Sequence, residues 1–375
     1  MTMPIYLDYA ATTPVDPAVI AAMEPWWSEQ FGNPHSPHRW GYRAAAAIAV
    51  ARAQVAKLLD VAADTVNFTS GATESVNWAL KGALTVTRRR IVTLATEHSC
   101  VLETACWLAT QGGAVTVVGV RPDGLIDMAA LDAALGNDVA LVSAMLVNNE
   151  TGVVQPIAEI AARAHAHGAL MHCDAAQGFG KLPTQVDVLG VDLLSLTAHK
   201  IYGPKGVGAL YIRPGLALTP LFHGGGQEAG GRSGTLAPAL CVGLGTAAAI
   251  AAEQMAQDAA HASALRAKLL AGLGVHYIIN GSSGFIWPGT LNLRFDGVDG
   301  ARLLQAVRGI AVSSGSACAS GSGRPSHVLE AMGLTPAQAR SSLRLGWGRF
   351  TTAADIDTAA ALLSDAASRL RALAA

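Results

Sequence analysis

The sequence predicts an α/β protein, with a large domain on a mainly parallel seven-stranded sheet flanked by helices and a smaller α+β domain beside it. Two observations carry this. Apolar, β-branched runs recur between residues 66 and 212, and several are continuous, not alternating, which is the pattern of strands covered on both faces. Ala-rich helical stretches lie between them, and the texture changes after about residue 214.

The strand candidates, in order, are "VNFTS" (66–70), "IVTLA" (91–95), "VTVVGV" (115–120), "VALVSAMLV" (139–147), "ALMHC" (169–173), "DLLSL" (192–196) and "GALYI" (208–212). Helical patterns separate them, such as "PIAEIAARAHAHG" (156–168), started by Pro and stopped by Gly. A Gly-rich loop, "HGGGQEAGGRSGT" (223–235), precedes a long Ala-rich helical region that runs to about 275. Strand-like "GTLNLRF" (289–295), helical "GARLLQAVR" (300–308), strand-like "SSLRLGW" (341–347) and a final helix from about 353 to 374 complete the chain. The expected division is a large domain over 15–255 and a small domain made of 1–14 and 256–375, which carries the loop around Cys318.

Bulk composition narrows the function. The 375 residues are 51% hydrophobic and 14% charged, so a large core is expected. A net charge of −1 gives no electrostatic case for nucleic acid. Arg88, Arg89 and Arg90 form the one tight basic run, read as a solvated turn before a strand. The N-terminus lacks the basic start and long apolar core of a signal peptide. Residues 236–252, "LAPALCVGLGTAAAIAA", read as a buried helix, not a membrane span. Five cysteines without framework spacing point to a reducing compartment, with the cytoplasm as the default. Cys100, Cys106, Cys173 and Cys241 read as buried apolar fillers. No metal site is expected; His165 and His167, two apart on a helix, do not share a face.

In open α/β sheets ligands bind beyond the carboxyl ends of the strands. After 66–69 comes "SGATES", where Gly71 permits a tight turn and Ala72 and Thr73 open a helix whose free N–H groups favour phosphate. His98 follows the second strand, and Asn148, Asn149 and Glu150 follow the fourth. Asp174 and Gln177 follow the fifth, and Thr197, His199 and Lys200 the sixth. Each alone has a bland reading, since an Asp there can simply cap a helix and a lone His is often structural. Together they deliver a phosphate cradle, an acid, an imidazole and an amine to one sheet edge. That set suits pyridoxal 5′-phosphate, with the amine on its aldehyde and the acid on its ring nitrogen.

In its strand-end stretches the chain resembles the NifS/IscS type of cysteine desulfurase, a class V aminotransferase branch of fold-type I pyridoxal-phosphate enzymes. The matching stretches include "YLDYAATTPVDP", "FGNPHSPH", "FTSGATES", "TEHSCVL", "NNETGVVQPI", "HCDAAQGFGKLP", "AHKIYGPKGVGALY", "HGGGQEAGGRSGT", "SSGSACASGSGRPSHVL" and "SSLRLGWGRFTT", spanning 6 to 352. The resemblance implies Lys200 as the Schiff-base lysine, Asp174 as the partner of the ring nitrogen, and His98 as the imidazole stacked on the ring. It implies Gln177 and Asn149 near the phenolic oxygen and the substrate, and Ala72, Thr73, Thr197 and His199 around the phosphate. Thr235 would reach the phosphate of a neighbouring subunit, which implies a homodimer with shared sites. Asn33 and Arg344 would hold the substrate carboxylate, with Arg340 a weaker candidate for that clamp.

Cys318 matches the sulfur-accepting cysteine. Its surroundings, "SSGSACASGSGRPS" (313–326), hold almost only Ser, Gly and Ala, as a thiol that must travel between cofactor and acceptor requires. The implied reaction converts L-cysteine to L-alanine and leaves a persulfide on Cys318, which passes to an acceptor protein serving iron–sulfur clusters or another thio-cofactor. His98 is one candidate base for the thiol. Thr197 departs from the Ser frequent in the family but keeps the hydroxyl. Housekeeping members carry a tail beyond the point where "LRALAA" stops, so docking of an iron–sulfur scaffold is less strongly expected. The rival readings are a selenocysteine lyase or another class V enzyme, and a partner protein without catalysis, which would be expected to lack Lys200 or Cys318. A nicotinamide site is disfavoured because no G-x-G-x-x-G follows a strand.

Overall fold

A computed structural model describes residues 3–315 and 325–373, so Cys318 lies outside the described residues. The strands are β1 (Ile5–Tyr6), β2 (Val66–Thr69), β3 (Arg90–Leu94), β4 (Ala114–Val118), β5 (Val139–Met145), β6 (Leu170–Asp174), β7 (Leu193–Thr197), β8 (Gly208–Ile212), β9 (Ile278–Ile279), β10 (Thr290–Arg294), β11 (Ile310–Ala311) and β12 (Ser342–Gly346). Seven of them form the main sheet in the order β2-β8-β7-β6-β5-β3-β4. Only β8 runs antiparallel to its neighbours; the other pairs are parallel.

The continuous apolar runs have the cause expected of them. Every residue of β5 and β7 is buried. Successive residues of a strand sort to opposite faces. Ile91, Leu141, Leu193 and Leu210 pack with helices Ala72–Gly82 and Ser99–Thr110. Their neighbours Val92, Val142, Leu194 and Tyr211 join the larger core on the other face. That core includes helix Arg39–Leu59 and the 35-residue helix Pro238–Gly272. These two helices approach so closely that a Cβ on Gly245 would lie 2.5 Å from Ala51 Cα. Helix Pro238–Gly272 is long and apolar enough to cross a membrane by length and composition, but 44% of its most apolar window is buried inside the protein.

A second sheet, in the order β12-β10-β9, is antiparallel. The short β1 pairs in parallel with β11, which brings the N-terminal segment against the C-terminal part of the chain.

Two local expectations change. The three arginines do more than face solvent: Arg88 and Arg89 donate to the carbonyls of Val139, His167, Gly112 and Gln111. Arg90 opens β3 and pairs with Asp138 at 2.7 Å. Cys106 is exposed, not buried, because helix Ser99–Thr110 turns that position away from the sheet.

Candidate active site

A cavity of about 430 Å³ opens at the carboxyl ends of the parallel strands. Ala72, Thr73, His98, Asn149, Asp174, Gln177, Thr197, His199, Lys200 and Arg344 all line it. The loops that deliver them follow β2, β3, β5, β6 and β7, except that Arg344 comes from within β12.

The rim after β2 is shaped for an anion. Gly71, at φ 153°, precedes helix Ala72–Gly82 and supplies no side-chain cap, so the first-turn N–H groups stay available. The neighbouring strand is equally restricted: a Cβ on Gly208 would sit 2.4 Å from Leu196 O and 2.7 Å from Gly71 Cα. Thr197 and His199 stand beside this rim. His199 Nδ1 is 3.2 Å from Thr12 Oγ1. Burial, with the charges of Lys200, Lys205 and Lys181, lowers its imidazole to about 4, so it is neutral at physiological pH.

Lys200 ends the short turn after β7. Its Nζ donates to the carbonyls of Ala10 at 2.5 Å and Ala11 at 2.6 Å. The Ala10 carbonyl also accepts Gln177 Nε2 at 2.7 Å. The N-terminal segment thus supplies backbone acceptors that hold the amine at the cavity wall.

Asp174 ends β6 and accepts the Ala176 N–H at 2.9 Å. Burial pushes its carboxyl up, opposed by that hydrogen bond and by His98 and Lys200. His98 caps helix Ser99–Thr110 by accepting the Cys100 N–H at Nδ1, 3.2 Å away. In the neutral ring the proton therefore sits on Nε2. Burial lowers the His98 pKa, partly offset by Asp174.

Asn149 is positioned by its neighbour. Asn148 Oδ1 accepts the N–H groups of Glu150 and Thr151 at 2.9 and 3.0 Å, while its Nδ2 donates to Thr96 O. This Asx turn fixes the loop after β5. Arg344 is 1% exposed. It donates through Nη1 to Asn149 O at 3.2 Å and pairs through Nη2 with Asp8 at 2.8 Å. Its Nε is buried without a hydrogen-bond partner among the described residues.

Three expected residues lie elsewhere in this chain. Asn33, Thr235 and Arg340 are exposed and do not line the cavity. Thr235 borders an adjoining hollow that shares Ser70 and Gly206 with it. Other residues at the site escaped sequence reasoning. Asp8, the partner of Arg344, was visible inside "YLDYAATTPVDP". Cys100 also lines the cavity. Burial first, then the charges of Asp174 and Glu97, push its thiol far up, which disfavours a thiolate. Glu97 is fully buried: its Oε1 accepts the Met145 N–H at 2.7 Å, and burial pushes its carboxyl well above the usual range.

The family model described as "Aminotransferase class-V" matches residues 5–358. "Cysteine desulfurase IscS" of Rickettsia bellii (strain OSU 85-389) is 46% identical over 380 residues, covering 99% of this chain and 93% of the relative. A solved structure titled "NIFS-LIKE PROTEIN" superposes with a TM-score of 0.91 at 37% identity, covering 98% of this chain and 100% of that one. Another, "SspA in complex with cysteine", gives 0.84 at 38% identity, covering 93% and 100%. A family match over residues 5–358, a relative 46% identical over 99% of this chain and a superposition at a TM-score of 0.91 lead to one conclusion: the chain belongs to the class-V aminotransferase family, in its NifS/IscS-type cysteine desulfurase branch.

Proposed function

We propose that the cavity binds pyridoxal 5′-phosphate and L-cysteine, and that the substrate sulfur passes to Cys318 and then to an acceptor protein. The residues present fit that cofactor. An uncapped helix start beside Gly71 suits its phosphate, the Lys200 amine its aldehyde, and the buried Asp174 its ring nitrogen. Arg344, with a buried Nε lacking a partner among the described residues, suits the substrate carboxylate. The observation that carries the reading is the convergence of Lys200, Asp174, His98 and the uncapped helix start on one cavity.

When bound, the cofactor supplies an aldehyde for amine attachment and an electron-withdrawing ring that stabilises charge at the attached carbon. The protein supplies the rest. Lys200 Nζ would hold the aldehyde and, once the substrate amine had displaced it, would take the proton from the substrate's α-carbon. Asp174 keeps a negative charge against the ring nitrogen. Neutral His98 offers its Nε2 proton over the cavity. Cys318 Sγ, as thiolate, attacks the substrate sulfur: an S–S bond forms, the Cβ–S bond breaks, and its electron pair returns to carbon, which is protonated. The balance is L-cysteine plus the Cys318 thiol giving L-alanine plus the Cys318 persulfide. With Nδ1 taken by the Cys100 N–H and the proton on Nε2, neutral His98 supports a donor role at the cavity and not that of a base for the thiol.

Several partners belong to the same proposal. A homodimer is supported by exposed Trp27, Phe31, Trp40 and Tyr42, two of which stack at 5.4 Å, and by the position of Thr235 outside its own cavity. In that dimer Thr235 would complete a neighbouring phosphate site, with Asn33 beside the substrate. The cytoplasm is supported by the four free cysteines among the described residues. The acceptor is a sulfur-receiving protein, with an iron–sulfur scaffold as one class. The division into 15–255 and 1–14 with 256–375 is supported by the β1–β11 pairing.

The test is direct. Purified protein given pyridoxal phosphate and L-cysteine should release alanine and transfer sulfur, and Lys200→Ala should abolish both. A Lys200→Ala protein of full activity would refute the reading. Greater turnover with selenocysteine would favour the lyase.

A further inference from the structure

Lys181 is a lysine with no role in the reaction as drawn. It lies four residues beyond Gln177, and its Nζ donates to Gln177 Oε1 at 3.0 Å. The opposite end of that amide, Nε2, donates to Ala10 O at 2.7 Å. The same carbonyl accepts Lys200 Nζ. A chain therefore runs from Lys181 through Gln177 and Ala10 to Lys200. While Lys181 is protonated its polarity is fixed, because a protonated lysine only donates and a carbonyl only accepts. Reversing the amide would put two donors against each other at one end and two acceptors at the other.

We propose that Lys181 is a positioning residue that orients the Gln177 amide, so that Nε2 and not Oε1 is presented to the cavity beside Lys200. This rests on the cofactor reading above, in which Gln177 lies near the phenolic oxygen. A donor there favours the deprotonated oxygen, and a second cation behind it disfavours a proton on the attached amine; both effects act in the same direction.

The setting of Lys181 fits such a role. Its hollow is lined by Tyr9, Tyr202, Asp258 and Arg349, and its Nζ stands 6.0 Å from the Trp287 ring centre. Asp258 is engaged by Arg349 at 2.8 Å. Burial, then the charge of Lys200, lowers the Lys181 amine to about 7. Its proton is therefore held mainly below neutral pH.

The test uses two readouts. In protein without cofactor, the side-chain amide signal of Gln177 should titrate by NMR with a midpoint near 7, and Lys181→Met should abolish that transition. In protein loaded with pyridoxal phosphate, the pH midpoint of the visible absorption band should rise by about 0.5–1 unit in Lys181→Met. Lys181→Arg should restore it. Should Lys181→Met fail to fold, Gln177→Leu should move the midpoint in the same direction. A Gln177 signal that titrates unchanged in Lys181→Met, or an absorption midpoint unmoved in both variants, overturns the proposal. A wild-type protein that takes up no cofactor overturns the cofactor reading instead, and the NMR titration still decides the role of Lys181.

Discussion

Ser326 Oγ donates to Glu150 Oε2 at 2.5 Å. Glu150 follows Asn149 at the cavity, and Ser326 caps helix His327–Ala331 by accepting the Leu329 N–H. On the other side of the Cys318 segment, a Cβ on Gly315 would stand 3.5 Å from the same carboxylate oxygen. Both described ends of that segment thus meet one carboxylate beside the site. Ser326→Ala should cost about 1 kcal/mol of stability through the lost cap. It should slow sulfur transfer several-fold while leaving cofactor absorption unchanged. Stopped-flow absorbance and a persulfide assay, run together, separate the two effects.

Arg344 is engaged by Asp8 on one arm and by the Asn149 carbonyl on the other. A substrate carboxylate would add a bond that Lys cannot reproduce with the same fork. Arg344→Lys should raise KM for cysteine by roughly 10- to 100-fold, equivalent to about 1.5–3 kcal/mol. Cofactor affinity should hold within about twofold. Steady-state kinetics and a cofactor titration check both.

Gly208 faces backbone, not a yielding side chain, so any side chain there must displace β7 or the turn at Gly71. Gly208→Ala should destabilise the protein by about 1–3 kcal/mol. Because Gly71 borders the anion rim, pyridoxal-phosphate affinity should also fall at least tenfold. Fluorescence titration of the cofactor measures it, and binding at wild-type affinity would remove Gly208 from the account.

His172 is buried between Ser143 and Ser195, with its ring nitrogens 2.8 and 2.9 Å from their hydroxyls. Burial lowers its pKa to about 3, from an ordinary value of 6.5. Between these values the unfolded chain binds a proton that the folded chain refuses. Stability should therefore fall as pH drops from about 6.5 toward about 3, by about 1.4 kcal/mol per pH unit from this residue. Urea unfolding of cofactor-free protein at several pH values should show the slope, and His172→Gln should reduce it. His199, lowered to about 4, should keep its own share in that variant.

The main sheet was legible because each of its strands is a short, nearly unbroken apolar run, and burial on both faces is what such a run demands. The strand-end residues were legible for the same reason: once the strands are placed, His98, Asn149, Asp174 and Lys200 follow at their carboxyl ends. The partners of Lys200 were not legible. Ala10 and Ala11 contribute only carbonyls, and backbone acceptors leave no mark on residue type. Lys181 was hidden for a related reason, since a lysine in "GFGKLP" reads as surface until its contact with Gln177 is seen. Asn33 sits in a matching stretch yet is exposed and does not line this chain's cavity, because a motif match fixes residue type and order, not position in space. Cys106 shows the limit of composition: an apolar residue type on a helix carries no information about which face it takes.

The most direct measurement supplies the loaded enzyme with one equivalent of isotopically labelled cysteine and maps the label by peptide mass spectrometry. The account predicts one added sulfur on the peptide containing Cys318, alanine in equal amount, and neither in Lys200→Ala. Label on the Cys100 peptide with Cys318 unmodified, or alanine formed at the normal rate by Cys318→Ala with full sulfur transfer to an acceptor, would contradict it.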